Sequence, residues 1–303
     1  MGSSTTLTTL NAKKPRFWEL DFVRGLCVIL MVFDHLMYSV MGVMPMVDFM
    51  LGKSVWENAS MWVADVYWYG SLRVYTRFLV LGAFFVICGI SCTFSRSNLK
   101  RGVTCFLVAC AITFFTVMGD IIFDLGISIY FGVLHMLGVS MLVYALLQKL
   151  GNLIARIGKE DGVKKATGII GDCLAPTVGL IVIIVYFACF FDSVVGDSFT
   201  TSVVIEDKTS SLIASLLIDV RPYGYGWKIG GADYWPLLPW LGFVLMGGFV
   251  GVFLYGSKRA HYLARFDGKW NKPVCFVGRH ALFIYIAHQV AVVVILFLIT
   301  LVA

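Results

Sequence analysis

The chain has 303 residues, of which 59% are hydrophobic and only 14% are charged. Its apolar residues fall into long blocks and do not alternate with polar ones, which excludes an ordinary soluble globule and indicates a polytopic membrane protein. The formal net charge of +6 does not indicate a nucleic-acid partner, because the basic residues cluster at the ends of the apolar blocks.

The apolar blocks predict an all-α polytopic membrane protein with about seven transmembrane helices around a central passage. The predicted spans are residues 20–43, 75–95, 102–122, 126–148, 173–192, 236–256 and 280–302. Residues 1–19 are expected to form a cytoplasmic N-terminal tail, and residues 20–303 a single transmembrane domain. The eight cysteines nearly all lie in spans or on the predicted cytoplasmic side, so we expect packing roles and no disulfides.

The distribution of charge predicts the orientation of the chain. With seven spans, most of the 24 Lys and Arg residues fall on one side, and most carboxylates of the loops fall on the other. Cytoplasmic loops carry the excess of Lys and Arg, so the N-terminus is predicted to be cytoplasmic. Two long loops, 44–72 and 193–234, then lie outside, where long loops commonly form lids or binding surfaces.

The first span carries four ionisable residues, Asp21, Arg24, Asp34 and His35, in an otherwise apolar stretch. Arg24 and His35 are eleven residues apart, close to three full helical turns, so both point from one face. Their separation along the axis is about 16 Å. Ionisable groups inside a span usually mark function. The alternatives are an Asp21–Arg24 ion pair within the helix and a His35 that only joins two helices by a hydrogen bond.

Two further histidines fall within predicted spans. His135 lies in the fourth span between Gly132 and Gly138, and His288 lies about two turns into the last span. Both could line the passage, although a lone buried histidine is more often a packing or hydrogen-bonding residue. The histidines show no paired spacing such as His-x-x-x-His, so no metal site is predicted.

Five stretches of the sequence carry a family resemblance. They are E-L-D-F-V-R-G-L-C-V-I-L-M-V-F-D-H from Glu19, R-F-L-V-L-G-A-F-F-V-I-C-G-I-S-C-T-F-S-R from Arg77, F-G-V-L-H-M-L-G from Phe131, D-Y-W-P-L-L-P-W-L-G from Asp233 and G-R-H-A-L-F-I-Y-I-A-H-Q from Gly278. In this order they resemble the heparan-alpha-glucosaminide N-acetyltransferase catalytic-domain family, in its bacterial branch, within the transmembrane acyltransferase superfamily. The resemblance touches nearly every predicted span.

The resemblance implies a transmembrane acyltransferase in the lipid bilayer of a bacterial plasma membrane. Such a protein takes acetyl from cytoplasmic acetyl-CoA and delivers it to a glycan or similar small acceptor on the extracytoplasmic side. The sequence leaves a homo-oligomer open. One departure concerns the catalytic base, because lysosomal members carry asparagine at the position of His35 and a histidine in the first outer loop. Here the loop 44–72 contains no histidine, so His35 or another buried histidine would have to act.

Acyl transfer from a thioester needs a base, donors for the developing oxyanion and cations for the CoA phosphates. His35 is the first choice as base, and His288 and His135 are further catalytic candidates. Arginine forks match phosphate oxygens in pairs. The candidates for binding CoA are therefore Arg24, Arg279, Arg96 and Arg101, although most of these also fit the role of charges that set topology.

The outer side carries the candidates for binding the acceptor. Asp34 and Arg77 are predicted to lie near the outer ends of the first two spans, where they would neutralise each other. Asp233, Tyr234 and Trp235 could bind a sugar, because carboxylates accept from hydroxyl groups and aromatic faces stack on sugar rings. The alternative for Asp233 is a helix cap or a solvated carboxylate.

Two function classes compete with the acyltransferase. Intramembrane His, Asp and Arg also serve proton-coupled carriers, but no internal repeat of the kind that many carriers show stands out. A glycan-binding partner of an export complex is the third reading, in which Arg24 and His35 would be dispensable. Two mechanisms also remain: direct transfer with His35 as base, or a transient acetyl group on a histidine.

Overall fold

The computed structural model describes residues 17–123, 126–157, 161–194, 204–205, 208–219, 221–222, 233–255 and 263–303. Nearly all of them are helical, apart from turns and one parallel pair of two-residue strands, Val204–Ile205 and Arg221–Pro222. The prediction of an all-α polytopic membrane protein is confirmed. Most of the predicted N-terminal tail and much of the predicted loop 193–234 lie outside the described residues.

The helices are numbered in chain order. They are α1 Trp18–Tyr38, α2 Met44–Leu51, α3 Glu57–Trp62, α4 Ser71–Thr93, α5 Asn98–Phe123, α6 Val133–Ile157, α7 Asp161–Val194, α8 Lys208–Leu217, α9 Trp240–Tyr255, α10 Lys272–Arg279 and α11 Ala281–Val302. Two π-helical segments, Ser39–Val43 and Val63–Trp68, join α1 to α2 and follow α3. A 3₁₀ turn, Ala264–Phe266, precedes α10.

Within the described residues, six helical segments are long and apolar enough to cross a bilayer: Trp18–Leu51, Ser71–Thr93, Asn98–Ile122, Val133–Arg156, Ile169–Phe190 and Ala281–Val302. They correspond to six of the seven predicted spans. The remaining one, predicted at 236–256, is the shorter helix α9, which has 16 residues and is therefore about 24 Å long. Pro236 and Pro239 precede its start at Trp240, and proline lacks the N–H that a helix interior needs. The count of seven and the cytoplasmic N-terminus stay predictions.

The described residues fall into two compact units. The first is drawn from Met1–Tyr69 and Ala260–Ala303, and in it α1 packs against α10 and α11. The backbones of α1 and α10 touch at two glycines, because a Cβ on Gly25 would overlap the Val274 carbonyl and a Cβ on Gly278 would overlap the Asp21 carbonyl. This close packing brings the polar residues at the start of α1 next to the end of α10.

The loop 44–72, which the sequence predicts to lie outside, is anchored to the end of α11. The Lys53 ammonium donates to the Thr300 carbonyl at 2.7 Å, and the Trp56 indole N–H donates to the Thr300 hydroxyl at 2.7 Å. Asp48 accepts from the Trp56 backbone N–H at 2.7 Å. A cation is favourable at a helix C-terminus, where the last carbonyls have no partner within the helix. These bonds therefore hold the segment between α2 and α3 to the end of α11.

The second unit, drawn from Gly70–Arg259, contains α4 to α9. Its main helix pairs are α4 with α9, α5 with α6, α6 with α7, and α7 with α9. Glycines lie at these crossings. A Cβ on Gly89 would overlap the Val244 carbonyl, and a Cβ on Gly247 would overlap the Val86 carbonyl, so α4 and α9 approach backbone to backbone. Small residues allow such approaches between helices in a bilayer.

We expect Gly89→Ala to destabilise the protein, because the added methyl group overlaps backbone that cannot move aside. Overpacking of this kind is unfavourable by about 1–3 kcal/mol. Gly82→Ala on the same helix is the matched control, since the nearest atom to its Cβ is a Phe243 ring carbon at 3.9 Å. Alanine there should be neutral or stabilising. Thermal unfolding in detergent measures both, and equal melting temperatures for the two variants would contradict the close α4–α9 packing.

Candidate active site

Two of the three catalytic candidates meet in the first unit. The rings of His35 on α1 and His288 on α11 lie edge to face, with centroids 4.9 Å apart and planes inclined by 77°. His288 is buried and His35 is half-buried. Nothing in the sequence predicts that these two histidines meet, because they are 253 residues apart. Their contact results from the packing of α1 on α11.

The backbone fixes which nitrogen of each ring carries hydrogen. His35 Nδ1 lies 2.8 Å from the Met31 carbonyl oxygen, and His288 Nδ1 lies 2.7 Å from the Tyr285 carbonyl oxygen. A carbonyl oxygen only accepts, so each Nδ1 must donate. In a neutral imidazole the other nitrogen, Nε2, then carries the lone pair. The site therefore holds two oriented imidazoles, each of which presents Nε2 as a base.

A π-helical turn begins directly beyond this pair. Ser39, the first residue of Ser39–Val43, is fully buried and donates through its hydroxyl to the His35 carbonyl at 2.8 Å. Gln289, which follows His288, donates through Nε2 to the Ser39 hydroxyl oxygen at 3.3 Å. Single π-turns inside helices are frequent at functional sites. Ser39 and Gln289 therefore join the two helices by a polar contact close to the imidazole pair in the sequence.

The hydrogen bond observed for the Asp34 side chain is with Tyr67 and not with either imidazole. Its carboxylate accepts from the Tyr67 hydroxyl at 3.0 Å, and the Tyr67 ring packs edge to face on Phe33 at 5.5 Å. This agrees with its position about 100° round the helix from His35. Sequence analysis did not single out Tyr67, which lies in the predicted outer loop 44–72.

At the N-terminal end of α1, one carboxylate lies between two guanidinium groups. Arg24 Nη1 donates to Asp21 Oδ1 at 3.1 Å, and Arg279 Nε donates to Asp21 Oδ2 at 3.1 Å. The ion pair within the helix is therefore present, and α10 contributes a second cation to the same carboxylate. The three groups carry one net positive charge. Arg279 is nearly half exposed, so the cluster can receive an anion from solution.

Cys275 lies one turn before Arg279 and acts as a buried packing residue. Its thiol donates to the Trp18 carbonyl oxygen at 3.5 Å. Burial raises the pKa of this thiol, and the Arg279 guanidinium acts in the opposite direction. A protonated thiol is a poor nucleophile. All eight cysteines are free, and within the described part of the chain no group of His, Cys, Asp and Glu residues could hold a metal ion.

The third catalytic candidate, His135, belongs to the second unit. Its Nδ1 accepts from the Gly132 N–H at 3.2 Å, so its Nε2 carries hydrogen and points to the Thr113 hydroxyl at 3.4 Å. The ring is buried and packs against Phe106 and Phe131. Both nitrogens are engaged by the protein. This environment favours a role in holding α5 to α6, and the catalytic role remains only a prediction.

The Asp233 motif also forms bonds within the second unit. Asp233 accepts from the Val133 N–H at 3.2 Å and from the Trp235 indole N–H at 2.5 Å, so it caps the first turn of α6. The Tyr234 hydroxyl donates to the Ser215 carbonyl. The Arg77 guanidinium lies over the Trp235 ring, 5.7 Å from its centroid. These contacts within the protein account for the polar residues of the motif, so a bound sugar is not needed to explain them.

The two remaining candidates for binding CoA, Arg96 and Arg101, belong to the second unit. Arg96 lies between α4 and α5, and Arg101 lies in the first turn of α5. Both are exposed. Arg101 donates to the Ser91 carbonyl at 3.0 Å, which joins α5 to the end of α4. They stay predictions, because the structure defines their surroundings only within that unit.

Comparison with known families identifies the family to which the chain belongs. The family model described as heparan-alpha-glucosaminide N-acetyltransferase, catalytic, matches residues 16–158 and 178–290, which is most of the chain. The chain belongs to this family. No curated protein and no solved structure is significantly similar to it. Because six helices among its described residues are long and apolar enough to cross a bilayer, it is a multi-pass membrane protein of an acetyltransferase family.

The family match includes every residue of the site just described. The first matched segment contains Asp21, Arg24, His35 and Ser39, and the second ends at residue 290, beyond Arg279, His288 and Gln289. Of the residues that bring the two segments together, sequence reasoning missed Ser39 and Gln289. Their only signal was their position, one turn after His35 and directly after His288.

Proposed function

We propose that this chain transfers acetyl from cytoplasmic acetyl-CoA to a hydroxyl or amine group of a glycan or similar small acceptor on the extracytoplasmic side of a bacterial plasma membrane. The observation that carries the proposal is the His35–His288 pair, in which both Nε2 atoms are oriented as bases. Imidazole takes up and releases protons near neutral pH, as acyl transfer requires.

The chemistry follows from that pair. His35 Nε2 removes the proton of the acceptor O–H or N–H while the acceptor oxygen or nitrogen attacks the thioester carbonyl carbon. The tetrahedral intermediate collapses, the carbon–sulfur bond breaks, and the CoA sulfur leaves with the proton that the imidazole returns. His288 supports the positive charge that His35 acquires, because its own Nε2 lone pair can accept a hydrogen bond from the imidazolium.

The arginine cluster supplies the site for the CoA phosphates. Arg24 and Arg279 lie at the inner end of α1 and carry more positive charge than Asp21 neutralises. Along α1 this cluster is about 16 Å from His35. The extended pantetheine arm of CoA bridges a distance of this order, so phosphates at the arginines would bring the thioester towards the imidazoles. Guanidinium forks suit phosphate oxygens by geometry as well as by charge.

The proposal is tested with purified protein in detergent. Acetyl-CoA is supplied with and without glucosamine as a probe acceptor, and free CoA is measured by liquid chromatography. We expect CoA release by the wild-type protein that heat inactivation abolishes. A protein that transports and does not acylate would release none, and that result would overturn the proposal in favour of a proton-coupled carrier.

The same preparation separates the two mechanisms. Acetyl-CoA labelled in the acetyl group is mixed with the protein in the absence of acceptor and quenched within milliseconds. Direct transfer predicts no label on the protein. Label retained on His35 or His288, located by mass spectrometry of peptides, would instead show a covalent acetyl-histidine, with the second imidazole as the base for the acceptor.

A further inference from the structure

Gln289 is held in one orientation beside the imidazole pair. Its Nε2 donates to the Ser39 hydroxyl oxygen at 3.3 Å. The Ser39 hydroxyl donates its own hydrogen to the His35 carbonyl at 2.8 Å. Because that hydrogen is already used, the Ser39 oxygen can only accept from Gln289, and the amide must present its NH₂ group to Ser39.

The other end of the amide is then a buried acceptor. Gln289 Oε1 is shielded from solvent and has no hydrogen-bond partner among the described residues. Such an atom is unfavourable in a folded protein unless another group supplies a donor. Ser39 lies four residues, about 6 Å, beyond His35 along α1. The Gln289 amide therefore contacts the chain about one helical turn beyond the residue proposed as the base.

We propose that Gln289 binds substrate, with Oε1 accepting a hydrogen bond from a neutral O–H or N–H group that lies about one helical turn beyond the reacting centre. A neutral amide suits a neutral donor, because it adds no charge to the buried site. Two groups carry this chemistry: a hydroxyl or amine of the acetyl acceptor, and an amide N–H of the pantetheine arm of CoA. This inference rests on the proposed acetyl transfer.

The test compares Gln289→Met with Ser39→Ala. Methionine has nearly the shape of glutamine and removes both Oε1 and Nε2, whereas Ser39→Ala removes only the partner of Nε2 and leaves Oε1 in place. Two reactions are measured, hydrolysis of acetyl-CoA by water and glucosamine-dependent release of CoA. We expect Gln289→Met to lower kcat/KM by about tenfold to a hundredfold in at least one reaction, as loss of a buried hydrogen bond does. Ser39→Ala should lower the same reaction by less, about twofold to tenfold, because Oε1 stays in place while the amide loses the contact that orients it.

The two reactions identify the donor. If the acetyl acceptor supplies it, Gln289→Met lowers only the glucosamine-dependent reaction and leaves hydrolysis unchanged. If pantetheine supplies it, both reactions fall together and the KM for acetyl-CoA rises. A merely structural role would lower both reactions in Ser39→Ala as much as in Gln289→Met, and that result overturns the assignment.

Folding and the proposed function are checked separately. Melting temperatures in detergent show whether each variant is folded, and Gln289→Asn, which withdraws Oε1 by one bond, replaces the methionine variant if that one unfolds. Gln289 variants with wild-type rates in both reactions contradict the inference alone. Absence of CoA release by the wild-type protein contradicts the proposed function, and the assignment of Gln289 falls with it.

Discussion

Replacing His35 with glutamine should lower the rate of CoA release from acetyl-CoA by about 100- to 10,000-fold, the usual contribution of a positioned general base. Glutamine keeps a polar side chain of similar length but cannot accept and return a proton. The Nε2 lone pair that His35 presents exists because its Nδ1–H is bound to the Met31 carbonyl, and no other side chain can reproduce this arrangement at that position. Steady-state kcat and KM, measured with a fixed probe acceptor, report the change.

His280→Gln is the matched control. Its Nδ1 also lies against the carbonyl oxygen of the residue four positions earlier, Phe276, at 2.9 Å, and it belongs to the same unit, but it is exposed. We expect its rate to stay within about twofold of the wild type, as for most exposed substitutions. Equal losses in His35→Gln and His280→Gln would show that the assay senses histidine replacement in general and would remove the case for His35 as base.

The double variant His35→Gln/His288→Gln reports whether the two imidazoles act together. Groups that act as a unit in catalysis are strongly non-additive, so the double variant should be about as slow as His35→Gln alone. If His288 serves only to pack α11 against α1, its replacement should add its own loss to the double variant. The coupling between the two substitutions thus measures the interaction that the 4.9 Å ring separation suggests.

Replacing Arg279 with methionine should raise the KM for acetyl-CoA by about tenfold to a hundredfold, because a charge-assisted hydrogen bond contributes about 1.5–3 kcal/mol. The KM for S-acetyl-pantetheine should not change, since that donor has no phosphate for the guanidinium to bind. The KM of Arg279→Lys for acetyl-CoA should fall between those of the wild type and Arg279→Met, because lysine keeps the charge without the planar fork. The difference between the two donors separates phosphate binding from any effect on folding.

Arg265→Met is the control for this charge. Arg265 is exposed, belongs to the same unit and lies over the Phe266 ring at 4.7 Å, whereas the ion pairs described for Asp21 are those with Arg24 and Arg279. Its replacement removes the same net charge and should leave the KM for acetyl-CoA within about twofold. A rise in KM for both acetyl donors in Arg279→Met would show that Arg279 only stabilises Asp21 and α1, and it would remove phosphate binding from the proposal.

The positions of most spans, and the interactions within α1, followed from the sequence. Long apolar blocks predict membrane helices because a bilayer leaves backbone groups no partner outside the helix. The Asp21–Arg24 ion pair followed from the spacing of three residues on one helix. The predicted span 236–256 corresponds to a shorter helix of 16 residues, because hydropathy does not register that Pro236 and Pro239 delay its start to Trp240.

The pairing of His35 with His288, the second guanidinium at Asp21 and the orphan oxygen of Gln289 were decided only by tertiary structure. Each joins residues near opposite ends of the chain, and periodicity along a helix describes only neighbours on that helix. What brings them together is the backbone contact at Gly25 and Gly278, which lets α10 and α11 lie along α1. The sequence by itself determined which side chains can bind an anion or accept a proton, and that Arg24 and His35 share one face of α1. The packing of the C-terminal helices decided which of them meet, because that choice depends on shape complementarity between distant segments.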